Sequence, residues 1–253
     1  MIFDSHSHYD DEAFDADRDE LLKSLREKGV GKIISCASSW DSLKKVTDIC
    51  HNYSFAFPAL GIHPENAMDL TPERRPVLEA LIEKEQPAAI GEIGLDYHYD
   101  EPPRDFQKDI FVYHLELAKR FNLPIIVHSR DAAEDTYELI KAHNPDKKGV
   151  IHCFSSSYEM AVKYVEMGYY IGIGGVVTFK NAAKLKDIAT KIPLNSILLE
   201  TDCPYMAPVP FRGTRNDSSL IKYVAEEIAS LRGITPEEVI ETTYNNTCRL
   251  FNV

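Results

Sequence analysis

Eight short apolar runs, each followed by a longer amphipathic segment, repeat from one end of this chain to the other. The runs fall at residues 2–4, 32–37, 55–61, 88–93, 124–128, 150–154, 169–173 and 197–201. Each is close to strand length and rich in β-branched or apolar residues. The segments between them, 17–28, 40–51, 71–84, 104–121, 132–143, 158–167, 182–191 and 218–231, read as helices. Thr71-Pro72-Glu73 sets a capping hydroxyl before a proline at the first helical position, and Thr235-Pro236-Glu237-Glu238 repeats the signal to open a ninth helix. A strand-then-helix unit repeated eight times predicts an α/β protein, a (β/α)8 TIM barrel, in a single domain over 1–253. The runs are apolar on consecutive residues, as strands covered on both faces require. A doubly wound open sheet is the rival arrangement, and strand count and chain length favour the barrel. No linker, low-complexity stretch or internal repeat splits the chain.

Charge narrows the possible partners. Lys and Arg number 28 against 40 Asp and Glu, a formal net charge of −12. Neutralising nucleic-acid phosphates takes Lys and Arg. Any such contact is therefore expected to be local or assisted by bound cations, and the balance argues against a protein that coats duplex DNA non-specifically. Cysteines stand at 36, 50, 153, 203 and 248 with no Cys-x-x-Cys pair. An odd number without that spacing favours a reducing, cytoplasmic setting. No apolar run approaches the ~20 residues of a membrane span, and the first residues lack the basic-then-apolar pattern of a secretory signal. No membrane partner is expected. The acidic surface without an apolar stripe points to a monomer.

Polar residues collect at the ends of the predicted strands. They are His6-Ser7-His8, Gly61-Ile62-His63-Pro64, Gly91-Glu92-Ile93-Gly94-Leu95-Asp96, His128-Ser129-Arg130, Ile151-His152-Cys153 and Glu200-Thr201-Asp202. In a barrel those ends share one face, and that face carries the active site. Residues i and i+2 of a strand project to the same side, so His6 and His8 can reach one ion. His128 and His152 lie on consecutive strands. Four imidazoles and two carboxylates suit one or two divalent ions with open positions: imidazole suits Zn, Fe and Ni, and carboxylate also accepts Mn and Mg. In the two-ion arrangement His6, His8 and Asp202 hold one cation, His128 and His152 the other, and Glu92 bridges. A pair of ions ~3.5–4 Å apart can activate a water and stabilise both attacking and leaving oxygens. His51 and His143 lie near helix C-termini, where a cation is favoured, and His114 lies within a helix. Those three, and His98, are expected to be structural.

These segments resemble the TatD family of metal-dependent deoxyribonucleases, within the amidohydrolase superfamily. The matching stretches are Phe3-Asp4-Ser5-His6-Ser7-His8, Gly61-Ile62-His63-Pro64, Gly91-Glu92-Ile93-Gly94-Leu95-Asp96-Tyr97, Pro124-Ile125-Ile126-Val127-His128-Ser129-Arg130, His152-Cys153-Phe154-Ser155 and Glu200-Thr201-Asp202-Cys203-Pro204-Tyr205-Met206-Ala207-Pro208. Arg212-Gly213-Thr214-Arg215-Asn216 and Asn245-Asn246-Thr247 also fit. The resemblance runs in order along essentially the whole chain. It implies a TIM-barrel hydrolase whose His6, His8, Glu92, His128, His152 and Asp202 bind two divalent ions (Zn, Mn, Mg or Ni). It also implies hydrolysis of DNA phosphodiesters from a 3′ end, with single-stranded DNA or 3′ ends as substrate. The lysine that many superfamily relatives carbamylate is replaced here by Glu92, as in this family. One departure is visible. After Arg215-Asn216 the family usually has an acidic residue and then proline, whereas this chain has Asp217-Ser218. The change is expected to alter a helix start and not the chemistry.

Roles follow for individual side chains. Asp202, beside the activated water, is the expected general base; the alternative is a ligand and nothing more. Glu92 is expected at the catalytic centre as the bridge. His63 is expected to hold a phosphate oxygen or protonate the leaving group, the alternative being a structural imidazole. Arg130 carries a fork suited to phosphate. Arg212, and less directly Arg215, lie where substrate can be clamped, with a surface salt bridge as the competing role. Tyr205 and Tyr97 can stack on a base, against packing at the rim. Cys153 and Cys203 are expected to be small packing residues. Two other functions compete: a related enzyme acting on a small-molecule ester, lactone, amide or phosphotriester, since a fold does not settle a substrate, and a non-catalytic metal-binding barrel.

Overall fold

The structure, a computed structural model, describes residues 1–253. Eight strands form one sheet: β1 (Ile2–Ser7), β2 (Val30–Cys36), β3 (Ala56–Leu60), β4 (Ala89–Asp96), β5 (Ile125–Arg130), β6 (Gly149–Ile151), β7 (Tyr170–Ile173) and β8 (Ile197–Leu199). They pair in parallel and in chain order from β1 to β8. Beyond β8 the chain returns to β1, where Ser7 bridges Cys203, the His8 amide donates to the Cys203 carbonyl at 2.9 Å and the Asp202 amide donates to the His6 carbonyl at 3.1 Å. That return closes the barrel and disposes of the open sheet. Nine helices intervene or follow: α1 (Arg18–Ser24), α2 (Trp40–Asn52), α3 (Arg75–Glu85), α4 (Arg104–Phe121), α5 (Ala133–His143), α6 (Tyr158–Glu166), α7 (Ala183–Lys191), α8 (Ile221–Arg232) and α9 (Pro236–Phe251). None is long and apolar enough to cross a membrane.

Boundaries differ from the expected ones for local reasons. β1 runs on to Ser7, because closure onto the segment after β8 buries all six of its residues. β6 and β8 stop early, so His152, Glu200 and Asp202 stand on the loops just above their strands. Thr71 opens a turn, and α3 begins only at Arg75. Pro76 has no N–H to return to the preceding turn, so the regular helix cannot start earlier. Thr235 caps α9 as its sequence signals, accepting from the Glu238 amide at 3.2 Å.

Strand alternation builds the barrel interior in layers. Phe3, Ile34, Ala59, Ala89, Ile126, Val150 and Leu198, one from each of seven strands, form a single buried cluster. Phe251 of α9 joins it, with Tyr244 and Cys248 packed alongside, so α9 plugs the end where the strands begin. Two residues further along, the same faces turn polar: Ile126 is followed by His128, Val150 by His152, and Leu198 by Glu200 and Asp202. A side-chain period of two carries each strand from the apolar floor to the polar mouth without leaving the interior. A second, larger core lies between the strands and the helices.

Candidate metal centre

At the mouth, Glu92, in the middle of β4, divides the imidazoles into two sets. Its Oε2 lies 3.4 Å from His6 Nε2 and 3.4 Å from His8 Nε2. Its Oε1 lies 2.7 Å from His152 Nε2, 3.0 Å from His128 Nδ1 and 3.7 Å from His63 Nε2. Asp202 joins the first set, with Oδ1 3.5 Å from His8 Nε2 and 3.7 Å from His6 Nε2. The nitrogens are also crowded against one another. His6 Nε2 and His8 Nε2 are 2.9 Å apart, and His128 Nδ1 and His152 Nε2 are 3.3 Å apart. Three overlapping groups of donors reach metal-binding proximity: His6, His152 and Asp202; His6, His8 and Glu92; and His63, Glu92 and His128. Converging imidazole nitrogens and carboxylate oxygens, almost wholly buried, are a donor set that fits divalent cations and little else.

Three of these imidazoles are also held from the far side. His128 Nε2 meets Asp96 Oδ2 at 2.9 Å, and His8 Nδ1 meets the Cys36 carbonyl at 3.0 Å. His6 Nδ1 lies 3.5 Å from Cys36 Sγ, whereas His152 Nδ1 has no hydrogen-bond partner, the nearest carboxylate oxygen, Glu200 Oε1, being 3.8 Å away. Such outer contacts fix the tautomer and ring orientation of metal-binding histidines. Beneath them the fully buried Asp4 accepts from the His6 and Thr201 amides and from the hydroxyls of Thr201 and Ser218, the last at 2.6 Å. The Asp217-Ser218 departure therefore reaches further than a helix start. Asp217 does cap a short 3-10 helix over Ser218–Leu220, accepting from the Ser219 amide at 2.8 Å. Ser218 adds an amide that donates to Tyr9 and a hydroxyl that donates to Asp4. A proline there has neither group, so in this chain the residue helps anchor the strand that carries His6.

The electrostatics follow from burial set against charge. Burial opposes ionisation of Glu92, but the surrounding imidazoles, His152 and His6 foremost, hold its carboxyl well below the usual range. Burial likewise opposes Asp202, and His8 pulls it down. Burial disfavours charge on His128, yet Asp96 and Glu92 raise it to about 9. Against the same penalty Asp202 and Glu92 lift His8 well above the ordinary imidazole value. His6 and His63 go the other way, to about 4 and about 3, because burial outweighs the pull of Glu92. Glu92 raises His152 against burial as well, so the carboxylates favour protons on His8, His128 and His152 that a bound ion would displace. Burial raises Glu200 to about 7.

A cavity of about 930 Å³ opens above this floor, and His8, His63, Glu92, His128, His152 and Asp202 line it. Arg130 and Tyr205 are on its wall, and the Tyr205 hydroxyl donates to Asp11 Oδ2 at 2.9 Å. Arg212 does not line it. Its guanidinium carbon lies over the Phe179 ring, 4.4 Å from the centroid, and the residue is exposed. Arg215 forms a two-pronged pair with Asp17 at 2.7 and 2.6 Å. Tyr97 donates to Asp135 at 2.7 Å under the Arg104 guanidinium, a rim-packing role. Cys153 lines the cavity with its thiol pushed far up by burial, and Cys203 is fully buried in the closure. His51, His98 and His143 pair with Glu85, Asp131 and Glu116, away from the centre.

The model of the family described as TatD related DNase matches residues 3–252. The chain belongs to the TatD family. It is 41% identical to the uncharacterized metal-dependent hydrolase YabD of Bacillus subtilis, over 100% of both chains. It is 31% identical to the putative deoxyribonuclease TATDN3 of mouse, over 99% of this chain and 88% of that one. The crystal structure of the TatD homolog YjjV from Escherichia coli superposes with a TM-score of 0.95 at 35% identity, covering 100% of this chain and 98% of that one. A TatD family hydrolase from Entamoeba histolytica shares the fold with a TM-score of 0.90 at 24% identity.

Proposed function

We propose that this TatD family member is a divalent-metal-dependent deoxyribonuclease that hydrolyses phosphodiester bonds from the 3′ end of DNA, single-stranded ends included, in the cytoplasm. One observation carries the reading: Glu92 turns one oxygen to His6 and His8 and the other to His128 and His152, on the floor of a cavity with Arg130 on its wall. Two divalent ions, drawn from Zn, Mn, Mg or Ni, fit this set, with His6, His8 and Asp202 around one, His128 and His152 around the other, and Glu92 between. Bound there, such ions supply Lewis acidity and an acidified water. Asp202, held ionised by its neighbours, accepts the proton of the attacking water. His63, neutral and with Nδ1 accepting from the Glu65 amide at 3.2 Å, donates its Nε2–H to a non-bridging oxygen, and the proton taken up by Asp202 passes on to the leaving oxygen. Arg130 and Tyr205 take the next phosphate and base. The name of the mouse relative supports the choice of DNA.

A second reading, a small ester, lactone, amide or phosphotriester as substrate, is favoured by one feature. Asp10, Asp11 and Glu65 also line the cavity, and they repel a polyanion. The deciding experiment supplies defined single-stranded, duplex and abasic oligonucleotides, together with a panel of lactones and esters, in Mg, Mn and Zn in turn. Nucleotide release from 3′ ends that falls steeply with added salt is the expected result. Salt-insensitive turnover of a small ester with intact DNA overturns it. Stoichiometric metal with no turnover of any substrate leaves a binding barrel.

A further inference from the structure

The two imidazole pairs are supported from behind by different chemistry. His128 bonds a carboxylate, Asp96 at 2.9 Å, while His152 Nδ1 is unbonded with Glu200 Oε1 3.8 Å away. His6 and His8 share a single uncharged residue. Cys36, the last residue of β2, turns its Sγ to His6 Nδ1 at 3.5 Å and its carbonyl to His8 Nδ1 at 3.0 Å. It is fully buried, so these are the contacts that orient both rings. The remaining nitrogen on each ring, Nε2, is the one that faces Glu92 and Asp202. A ring that binds through Nε2 carries its proton on Nδ1 and must place it on an acceptor. The Cys36 carbonyl is a good acceptor for His8, and the Cys36 sulfur a weak one for His6.

We propose that Cys36 is a positioning residue dedicated to the ion position formed by His6, His8 and Asp202, and that the His128–His152 position is held independently of it by Asp96. The proposal rests on the two-ion reading above. Cys36→Ala removes the sulfur, strands His6 Nδ1 without a partner, and leaves the carbonyl contact to His8 in place. Outer-contact losses lower metal affinity about 10–100-fold, and a weak sulfur acceptor puts the expected loss near the lower end, about tenfold. Cys36→Ser returns a polar acceptor on a shorter arm and is expected to recover most of that loss. Asp96→Asn is the mirror case, because it weakens the contact to His128 and touches neither His6 nor His8. Glu92 faces both sets, so Glu92→Gln weakens both positions.

The test is a Co(II) titration of the metal-free full chain, followed in the visible spectrum, with free metal counted by a chelating dye. Thermal unfolding of each metal-free variant checks that it is folded. Two binding steps are expected for the wild type. Cys36→Ala should move one step about tenfold and leave the other within twofold, Cys36→Ser should restore it, and Asp96→Asn should move the other step. If Cys36→Ala shifts both steps alike, or neither, the assignment of Cys36 is overturned. A wild type that binds a single ion refutes the two-ion reading itself, whatever Cys36 does.

Discussion

Gly94 stands opposite His128 in the β4–β5 pair, and a Cβ built on it would lie 2.0 Å from the His128 carbonyl oxygen. Its φ of +142° is also one that residues with a side chain rarely adopt. Two independent constraints therefore require glycine where β4 passes the strand that carries a candidate ligand. Gly94→Ala is expected to cost at least about 3 kcal/mol and to displace His128. Urea unfolding reads the first effect and metal content the second; an unchanged midpoint with full metal content rejects the argument.

What could be read in advance follows the reach of each signal. The barrel was legible because an apolar run and an amphipathic segment are local features, and eight of each leave few arrangements. His6 and His8 were legible because a separation of two fixes a shared side. Asp96 and Glu200 lay inside the motifs that drew attention, yet no role could be assigned to them. What makes Asp96 a partner of His128 is register, with Gly94 beside His128 and Asp96 beside Arg130. Cys36 is the extreme case, since its bond to His6 depends on how β1 and β2 are staggered across two register shifts. For Arg212 the direction of the side chain is not written in the local sequence, for a related reason. Its place in the loop after β8 was right, but the direction of its side chain is set by Phe179, over thirty positions away in the sequence.

Glu92 is the carboxylate that touches every imidazole of the cluster, so its charge matters more than its shape. Adding Zn or Mn to the metal-free chain is expected to raise the unfolding temperature, since a ligand at 100 times its Kd stabilises by about 2.7 kcal/mol. Chelation should reverse that rise and abolish turnover. Glu92→Gln keeps the volume, removes the charge, and should blunt both responses, with turnover down at least about 100-fold. Calorimetry with and without metal decides it, and a variant that gains as much stability from the metal as the wild type counts against the bridging role.

His114 allows a pH prediction away from the centre. It is fully buried in α4, its Nδ1 is bonded to the Ile110 carbonyl at 2.8 Å, and its Nε2 has no partner. Burial pushes it down from 6.5 to about 4. The unfolded chain therefore takes up the proton first. The stabilisation from keeping this ring neutral is complete above pH 6.5 and is lost as the pH falls toward 4, roughly 2–3 kcal/mol of it by pH 4.5. His114→Phe, which has nothing to protonate, should lose that much less stability than the wild type between pH 7.5 and 4.5. Equal losses in paired urea titrations would show that another group carries the acid sensitivity.

Arg130 and Arg212 make opposite predictions for substrate affinity. Both carry a guanidinium suited to phosphate; Arg130 ends β5, and Arg212 lies in the loop after β8. Arg130 lines the cavity above His128, while Arg212 is spent on the face of Phe179 outside it. With so few cations against the carboxylates of the cavity wall, removing Arg130 should be felt chiefly in binding. Arg130→Ala is expected to raise the KM for a short single-stranded oligonucleotide about tenfold or more, the loss of one charge-assisted contact, and to flatten its salt dependence. Arg212→Ala should change KM less than twofold. Steady-state kinetics at two salt concentrations separates the cases. If Arg212→Ala produces the larger KM change, the loop after β8 must fold inward over bound substrate, and the clamp first expected of Arg212 is restored.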